Sequence, residues 1–157
     1  MIAYLNIGSN LGSKKDLILR ALDCIGDKLG YYCVSEFVES DPWGFDSTNS
    51  FLNIGVAIKT QQEPETLLDT LQGIEKSISE ISHRDEKGGY ADREIDIDIL
   101  AFDKGEYKSE RLEVPHMHLK AREFFLRPLM ELAPHWQYPS SGESIESLLF
   151  GNVKKDT

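Results

Sequence analysis

The chain predicts an α/β (α+β) fold: a ferredoxin-like βαββαβ sandwich with a mainly antiparallel sheet, two helices on one face and extra C-terminal helices. Three observations predict it. Four short segments carry the apolar runs or alternation of strands, and two longer ones carry apolar residues at helical spacing. The two kinds follow one another as β-α-β-β-α-β over residues 2 to 102, which is the order of a split βαβ unit. A further helical pattern beyond residue 116 would cover part of the sheet's other face.

Taken in order, "IAYLNI" (2–7) is apolar enough for a buried strand, and "GSNLGS" (8–13) is the turn into a helix. Ile18, Leu22, Ile25 and Leu29 line one face of that helix, with Gly26 and Gly30 near its end. "YYCVSEFVES" (31–40) alternates as a strand does, and "DPWGFDSTNS" (41–50) is a turn-rich loop carrying Trp43 and Phe45. "FLNIGVAIKT" (51–60) is the next strand. Pro64 then opens a helix, being tolerated in a first turn, and Leu67, Leu68, Leu71, Ile74, Ile78 and Ile81 form its apolar stripe. "HRDEKGGYAD" (83–92) is a second long loop, and "REIDIDILAF" (93–102) is the fourth strand. After a weak segment at 107–113, "VPHMHL" leads to a helix containing Phe124, Phe125, Leu126, Leu129, Met130 and Leu132. A short helical piece is expected around 145–149. No repeat or linker divides the chain, so one domain over residues 1–157 is expected.

Composition bounds the function. Of 157 residues, 40% are hydrophobic and 28% charged, as in an ordinary globule, and the net charge is −10. That charge argues against nucleic acid and anionic membrane as partners, because the long-range force on a phosphate is repulsive. An anionic ligand would need local cations or a metal. Cys24 and Cys33 lack metal-site spacing and suit reduced thiols, no stretch would span a bilayer, and a cytoplasmic location is expected.

The fourth strand raises the chemical question. Its side chains alternate between faces, so Ile95, Ile97 and Ile99 share one and Glu94, Asp96 and Asp98 the other. Same-face neighbours stand roughly 7 Å apart, so the acids repel. Either water screens the row on a solvated face or a cation occupies it, and Mg²⁺ takes one or two carboxylates together with phosphates and water. Glu75, on the margin of the second helix's stripe, is either an edge residue or a buried hydrogen-bond acceptor. Trp43 and Phe45 either plug the core or line a ligand. The loop 83–92 is either a plain surface loop or a lid that delivers Arg84 or Lys87. Arg111, His116, His118, Lys120, Arg122 and Arg127 make a local basic cluster suited to a polyanion. A zinc pair at His116 and His118 would need further ligands.

With those residues in view, the chain resembles the 6-hydroxymethyl-7,8-dihydropterin pyrophosphokinase family of folate biosynthesis, roughly over residues 2 to 139. "GSNLG", "PWGF…FLN", the "IE" of the second helix, "REIDIDIL", "VPH" and "AREFFLRPLMELAP" stand in that family's order. The resemblance implies transfer of the β,γ-pyrophosphoryl group of ATP to the pterin hydroxymethyl oxygen, leaving AMP. It implies Asp96 and Asp98 as ligands of a pair of Mg²⁺ ions. Asn53 would hydrogen-bond the pterin and Phe124 would stack on it, with Phe51, Trp43 and Ser40 completing the pocket. Glu75, His116, Arg122 and Arg111 would serve the nucleotide, and Arg93 would position the transferring phosphates. Where the family carries Gly-Arg after "IE", this chain has Ser79 and Glu80, and its Tyr90-Ala91-Asp92-Arg93 replaces Trp-Gly-Pro-Arg. Arg84 is therefore expected to join the catalytic cations, with Lys87 the other candidate. A monomer binding only ATP and 6-hydroxymethyl-7,8-dihydropterin is expected. The rival is a non-catalytic ferredoxin-like module that binds pterin or nucleotide for regulation.

Overall fold

A computed structural model describes residues 1–10, 13–40, 50–83 and 95–155, with backbone alone at 80–83 and 152–155. Along the chain come β1 (Ile2–Ser9), α1 (Lys14–Leu29), β2 (Tyr32–Val34), β3 (Val38–Ser40), β4 (Phe51–Lys59), α2 (Pro64–His83) and β5 (Asp96–Phe102). A small hairpin of β6 (Tyr107–Lys108) and β7 (Glu113–Val114) follows, then a 3₁₀ turn at Leu119–Ala121, α3 (Glu123–Leu132) and α4 (Ile145–Lys155). The sheet order is β2-β4-β1-β5, with β3 also on β4, and every pairing is antiparallel. This is the expected split βαβ arrangement.

The expected single strand over 31–40 is interrupted. Ser35 gives its backbone N–H to the Gly55 carbonyl at 2.9 Å, while its hydroxyl accepts the Gly55 N–H at 2.8 Å. A side chain thus stands in for a backbone partner, and the strand resumes at Val38 displaced along β4. The weak segment at 107–113 is the β6–β7 hairpin, and the C-terminal helical piece runs on to Lys155.

Period-2 alternation divides the core in two. Ala3, Leu5 and Ile7 of β1, Ile54, Val56 and Ile58 of β4, and Ile95, Ile97 and Ile99 pack on the buried stripes of α1 and α2. The opposite face is apolar only towards one end, where Tyr4, Leu100 and Ala101 meet Phe125, Leu126 and Leu129 of α3 and Ile145 and Leu148 of α4. A register shift between Tyr4 and Leu5 opposite β5 puts Leu100 and Ala101 in the same cluster, and the Trp136 indole donates to the Phe102 carbonyl at 2.9 Å. Towards the other end of this face the residues are Asn6, Gly8, Asn53, Asp96 and Asp98. The candidate site lies there.

Candidate active site

Strand register assembles the site. On β1, Asn6 pairs with Asp98 on one side and Gly55 on the other, and Gly8 lies between Asp96 and Asn53. Asp96, Asp98 and Asn53 thereby open into one cleft of about 430 Å³, together with Phe51, His116, Arg122 and Phe124. Gly8 keeps its floor clear, since a Cβ there would stand 2.9 Å from Asn53 Oδ1. The volume suits a small-molecule ligand.

Asn53 is 2% exposed, and its amide nitrogen donates to Ser40 Oγ at 2.8 Å and to the Val38 carbonyl at 3.3 Å. Those bonds fix which end of the amide is donor, the orientation a ring with its own donors and acceptors would read. Ser40 therefore acts on the pocket through Asn53. Phe124 lines the same cleft, edge-to-face with Phe125 at 4.9 Å between centroids.

The anionic side is built around β5. The His116 backbone N–H donates to the Leu100 carbonyl at 2.8 Å, seating its segment against the strand. His116 Nδ1 accepts the His118 backbone N–H at 3.0 Å, so the ring proton sits on Nε2, 3.6 Å from Asp98 Oδ1. The Arg122 guanidinium lies 5.0 Å from the Phe125 ring centre. Burial lowers its pKa, while Asp98 and Asp96 oppose that shift. Burial, then the Arg122 charge, holds His118 below the ordinary imidazole range.

Glu75 is a half-buried acceptor rather than a plain edge residue. It reaches the open edge of the sheet and accepts the Ile97 N–H at 2.9 Å. Burial pushes its carboxyl up to about 8; the Ile97 bond opposes this, and the charges of Asp96 and Asp98 reinforce it. A folded-state value above the usual 4.5 means the folded protein binds the proton more tightly than the unfolded chain. In chelator-treated protein the stability Glu75 contributes is therefore full below about 4.5 and lost as pH rises through about 8. Melting temperatures across that window should fall for the wild type and fall less for Glu75→Gln, which keeps an acceptor for Ile97 and cannot ionise.

Arg111 stands outside the cleft described above. Its guanidinium pairs with Asp69 at 2.5 Å and approaches Glu65 at 3.6 Å, both on α2. Trp43, Phe45, Arg84, Lys87, Arg93 and Glu94 lie outside the described residues, as does the Glu80 side chain. Sequence reasoning passed over Asn6, Gly8 and Phe125 as cleft residues, although a lone amide in the apolar run of β1 was a visible signal.

Two carboxylates on one strand face, both opening into the cleft, make a hard-oxygen donor set that fits a divalent cation completed by phosphate and water. Among the described residues no group of three or more His, Cys, Asp or Glu side chains could hold a metal by itself. No described helix is long and apolar enough to cross a membrane.

Fold and site define a class, an antiparallel α+β sandwich that sets paired carboxylates beside an aromatic-walled cleft. The family model described as 7,8-dihydro-6-hydroxymethylpterin-pyrophosphokinase matches residues 4–134. A 2-amino-4-hydroxy-6-hydroxymethyldihydropteridine pyrophosphokinase of Porphyromonas gingivalis is 37% identical over 142 residues, covering 89% of this chain and 95% of the relative. Its counterpart in Aquifex aeolicus is 36% identical over 136 residues, covering 87% and 82%. The wild-type HPPK-DHPS of Plasmodium falciparum superimposes with a TM-score of 0.73 at 17% identity, covering 98% of this chain and 45% of that one. The chain thus spans less than half of that longer protein, whose likeness speaks for the fold. The chain belongs to the 7,8-dihydro-6-hydroxymethylpterin-pyrophosphokinase family. Its activity is that of a diphosphotransferase of folate biosynthesis, and the non-catalytic regulatory module is not favoured.

Proposed function

We propose that the cleft binds 6-hydroxymethyl-7,8-dihydropterin between Phe124 and the oriented Asn53 amide, with the ATP polyphosphate over Asp96 and Asp98. One observation carries this reading: both carboxylates open into the cleft that Asn53 and Phe124 line. Phe51 would line the pterin side, with Trp43 closing it and Ser40 holding Asn53. Asp96 and Asp98 would hold a pair of Mg²⁺ ions, which when bound neutralise the polyphosphate and draw it into line. The His116 Nε2 proton and the Arg122 guanidinium would donate to phosphate or ribose oxygens. Arg93 and Arg84 would supply the remaining positive charge, and Glu75 would serve the nucleotide from behind β5. Arg111 would join only by exchanging Asp69 and Glu65 for phosphate.

In the reaction the pterin hydroxymethyl oxygen forms a bond to the β-phosphorus of ATP as the bond from that phosphorus to the bridging oxygen breaks. The bridging oxygen leaves with AMP, and the hydroxymethyl proton is released to water. Positioning and charge neutralisation supply the catalysis, and no covalent enzyme intermediate is required. In this reading residues 1–157 are one pyrophosphokinase domain, acting as a cytoplasmic monomer.

The test is AMP release from ATP and Mg²⁺ with and without the pterin. Pterin-dependent AMP supports the reading; bound pterin with no AMP would restore the regulatory one. Phe124→Ala should weaken pterin binding roughly ten- to a hundred-fold, as removing a stacking ring costs about 1–3 kcal/mol. Calorimetry should find Mg²⁺–ATP affinity changed less than pterin affinity, because Phe124 meets the nucleotide side through the Arg122 guanidinium, 5.8 Å from its ring centre.

A further inference from the structure

Phe124 and Pro128 sit four residues apart in α3, and this spacing creates a local defect. In an α-helix the N–H of residue 128 would donate to the carbonyl of residue 124. Proline has no N–H, so the Phe124 carbonyl lacks its helical donor. An unpaired carbonyl at this depth is costly. The Asn6 side chain, 2% exposed, fills the role from the sheet: its amide nitrogen donates to the Phe124 carbonyl at 3.1 Å, across 118 positions of sequence.

The same strand pair accommodates the proline. Gly55 is the cross-strand partner of Asn6, and a Cβ built on Gly55 would stand 2.5 Å from Pro128 Cβ. One residue of the pair thus replaces the donor that the proline lacks, and the other makes room for its ring. On its opposite side Asn6 is in register with Asp98. The aromatic wall and a cleft carboxylate are therefore tied to the same residue of β1.

We propose that Asn6 is a positioning residue for pterin binding, which holds the start of α3 on the sheet so that the Phe124 ring faces the cleft at a set distance from Asp98. The inference rests on the reading of Phe124 as the pterin-stacking ring. Asn6 acts through the backbone of Phe124, and its removal tilts or frays the first turn of α3. The loss falls first on pterin affinity; Mg²⁺–ATP binding changes less, through Arg122 at the N-terminus of α3.

The test compares Asn6→Ala, Asn6→Leu, Pro128→Ala, Phe124→Ala and the double variant Asn6→Ala/Pro128→Ala, measuring pterin and Mg²⁺–ATP affinities by calorimetry and folding by thermal melts. Asn6→Ala should weaken pterin binding about ten-fold, the usual effect of orphaning one buried hydrogen-bonding group, with a smaller loss of Mg²⁺–ATP affinity. Pro128→Ala returns an N–H to the helix, so relative to Pro128→Ala alone the double variant should lose less than about two-fold. A merely structural role for Asn6 would not produce this background-dependent affinity. The inference is overturned if a folded Asn6→Ala protein binds pterin as the wild type does, or if the loss is equal in both backgrounds. Asn6→Leu keeps the volume without the donor, so normal pterin binding by it would also count against the hydrogen bond. Phe124→Ala separates the two levels: if it leaves pterin affinity unchanged, the stacking reading itself fails. If it weakens binding while Asn6→Ala does not, only the positioning role fails.

Discussion

Asp98→Asn is expected to reduce pterin-dependent AMP release by about three orders of magnitude, since removing one well-placed charge or donor from a transition state costs a factor of this size. The substitution is nearly isosteric. It leaves the pairing of β5 with β1 intact and relieves repulsion with Asp96 two residues away, so the fold should be no less stable. The cleft wall formed by Asn53 and Phe124 does not depend on that charge, and pterin affinity should change by less than about three-fold. The Mg²⁺ dependence of ATP binding should weaken sharply. A variant that turns over normally would take the acidic row of β5 out of the mechanism and leave it a solvated face. Turnover, pterin calorimetry and ATP titrations with and without Mg²⁺ separate these outcomes.

Gly55→Ala should have the largest effect on the fold. A Cβ at this position would meet Pro128 Cβ at 2.5 Å, Leu132 Cδ1 at 3.1 Å and Ser35 Oγ at 3.3 Å. The first contact decides the sign. A proline ring cannot swing aside as the end of a flexible chain can, and β4 is held by β1 on one side and by β2 and β3 on the other. The helix must move. Overpacking of this kind costs about 1–3 kcal/mol, and sometimes more. For a domain of this length that is a fall in melting temperature of roughly 3–10 °C. Because α3 carries Phe124 and follows directly on Arg122, the KM values for pterin and for ATP should both rise. Gly55→Ala and Asp98→Asn therefore differ in kind, the first acting on stability and binding and the second on turnover. An unshifted melt would mean that α3 does not bear on β4 at Gly55.

The fold was largely legible because its signals are local. Alternating isoleucine and acid on β5 sorted that strand's faces before any partner was known, and Ile95, Ile97 and Ile99 do lie in the core against α1 and α2. The helical stripe from Leu67 to Ile78 likewise identified α2 and the side it buries. The interruption of the second strand was not legible, because it depends on the Ser35 hydroxyl finding the Gly55 N–H, twenty residues away in sequence.

The sequence by itself determined the order of elements, the acidic face of β5, the family and most of the candidate cleft residues. Only the tertiary structure decided what state and partner several of those residues have. Glu75 read as a margin residue until packing brought it to the free edge of β5, where burial and two neighbouring carboxylates raise its pKa. Arg111 read as one of a basic cluster, yet its charge is engaged by α2. The carbonyl that Pro128 leaves without a helical donor is met by Asn6, which nothing in the local sequence of α3 names. Periodicity and residue type report which way a side chain points and what it can offer. The group it meets, and hence its protonation and energy, is set by elements that arrive from elsewhere in the chain.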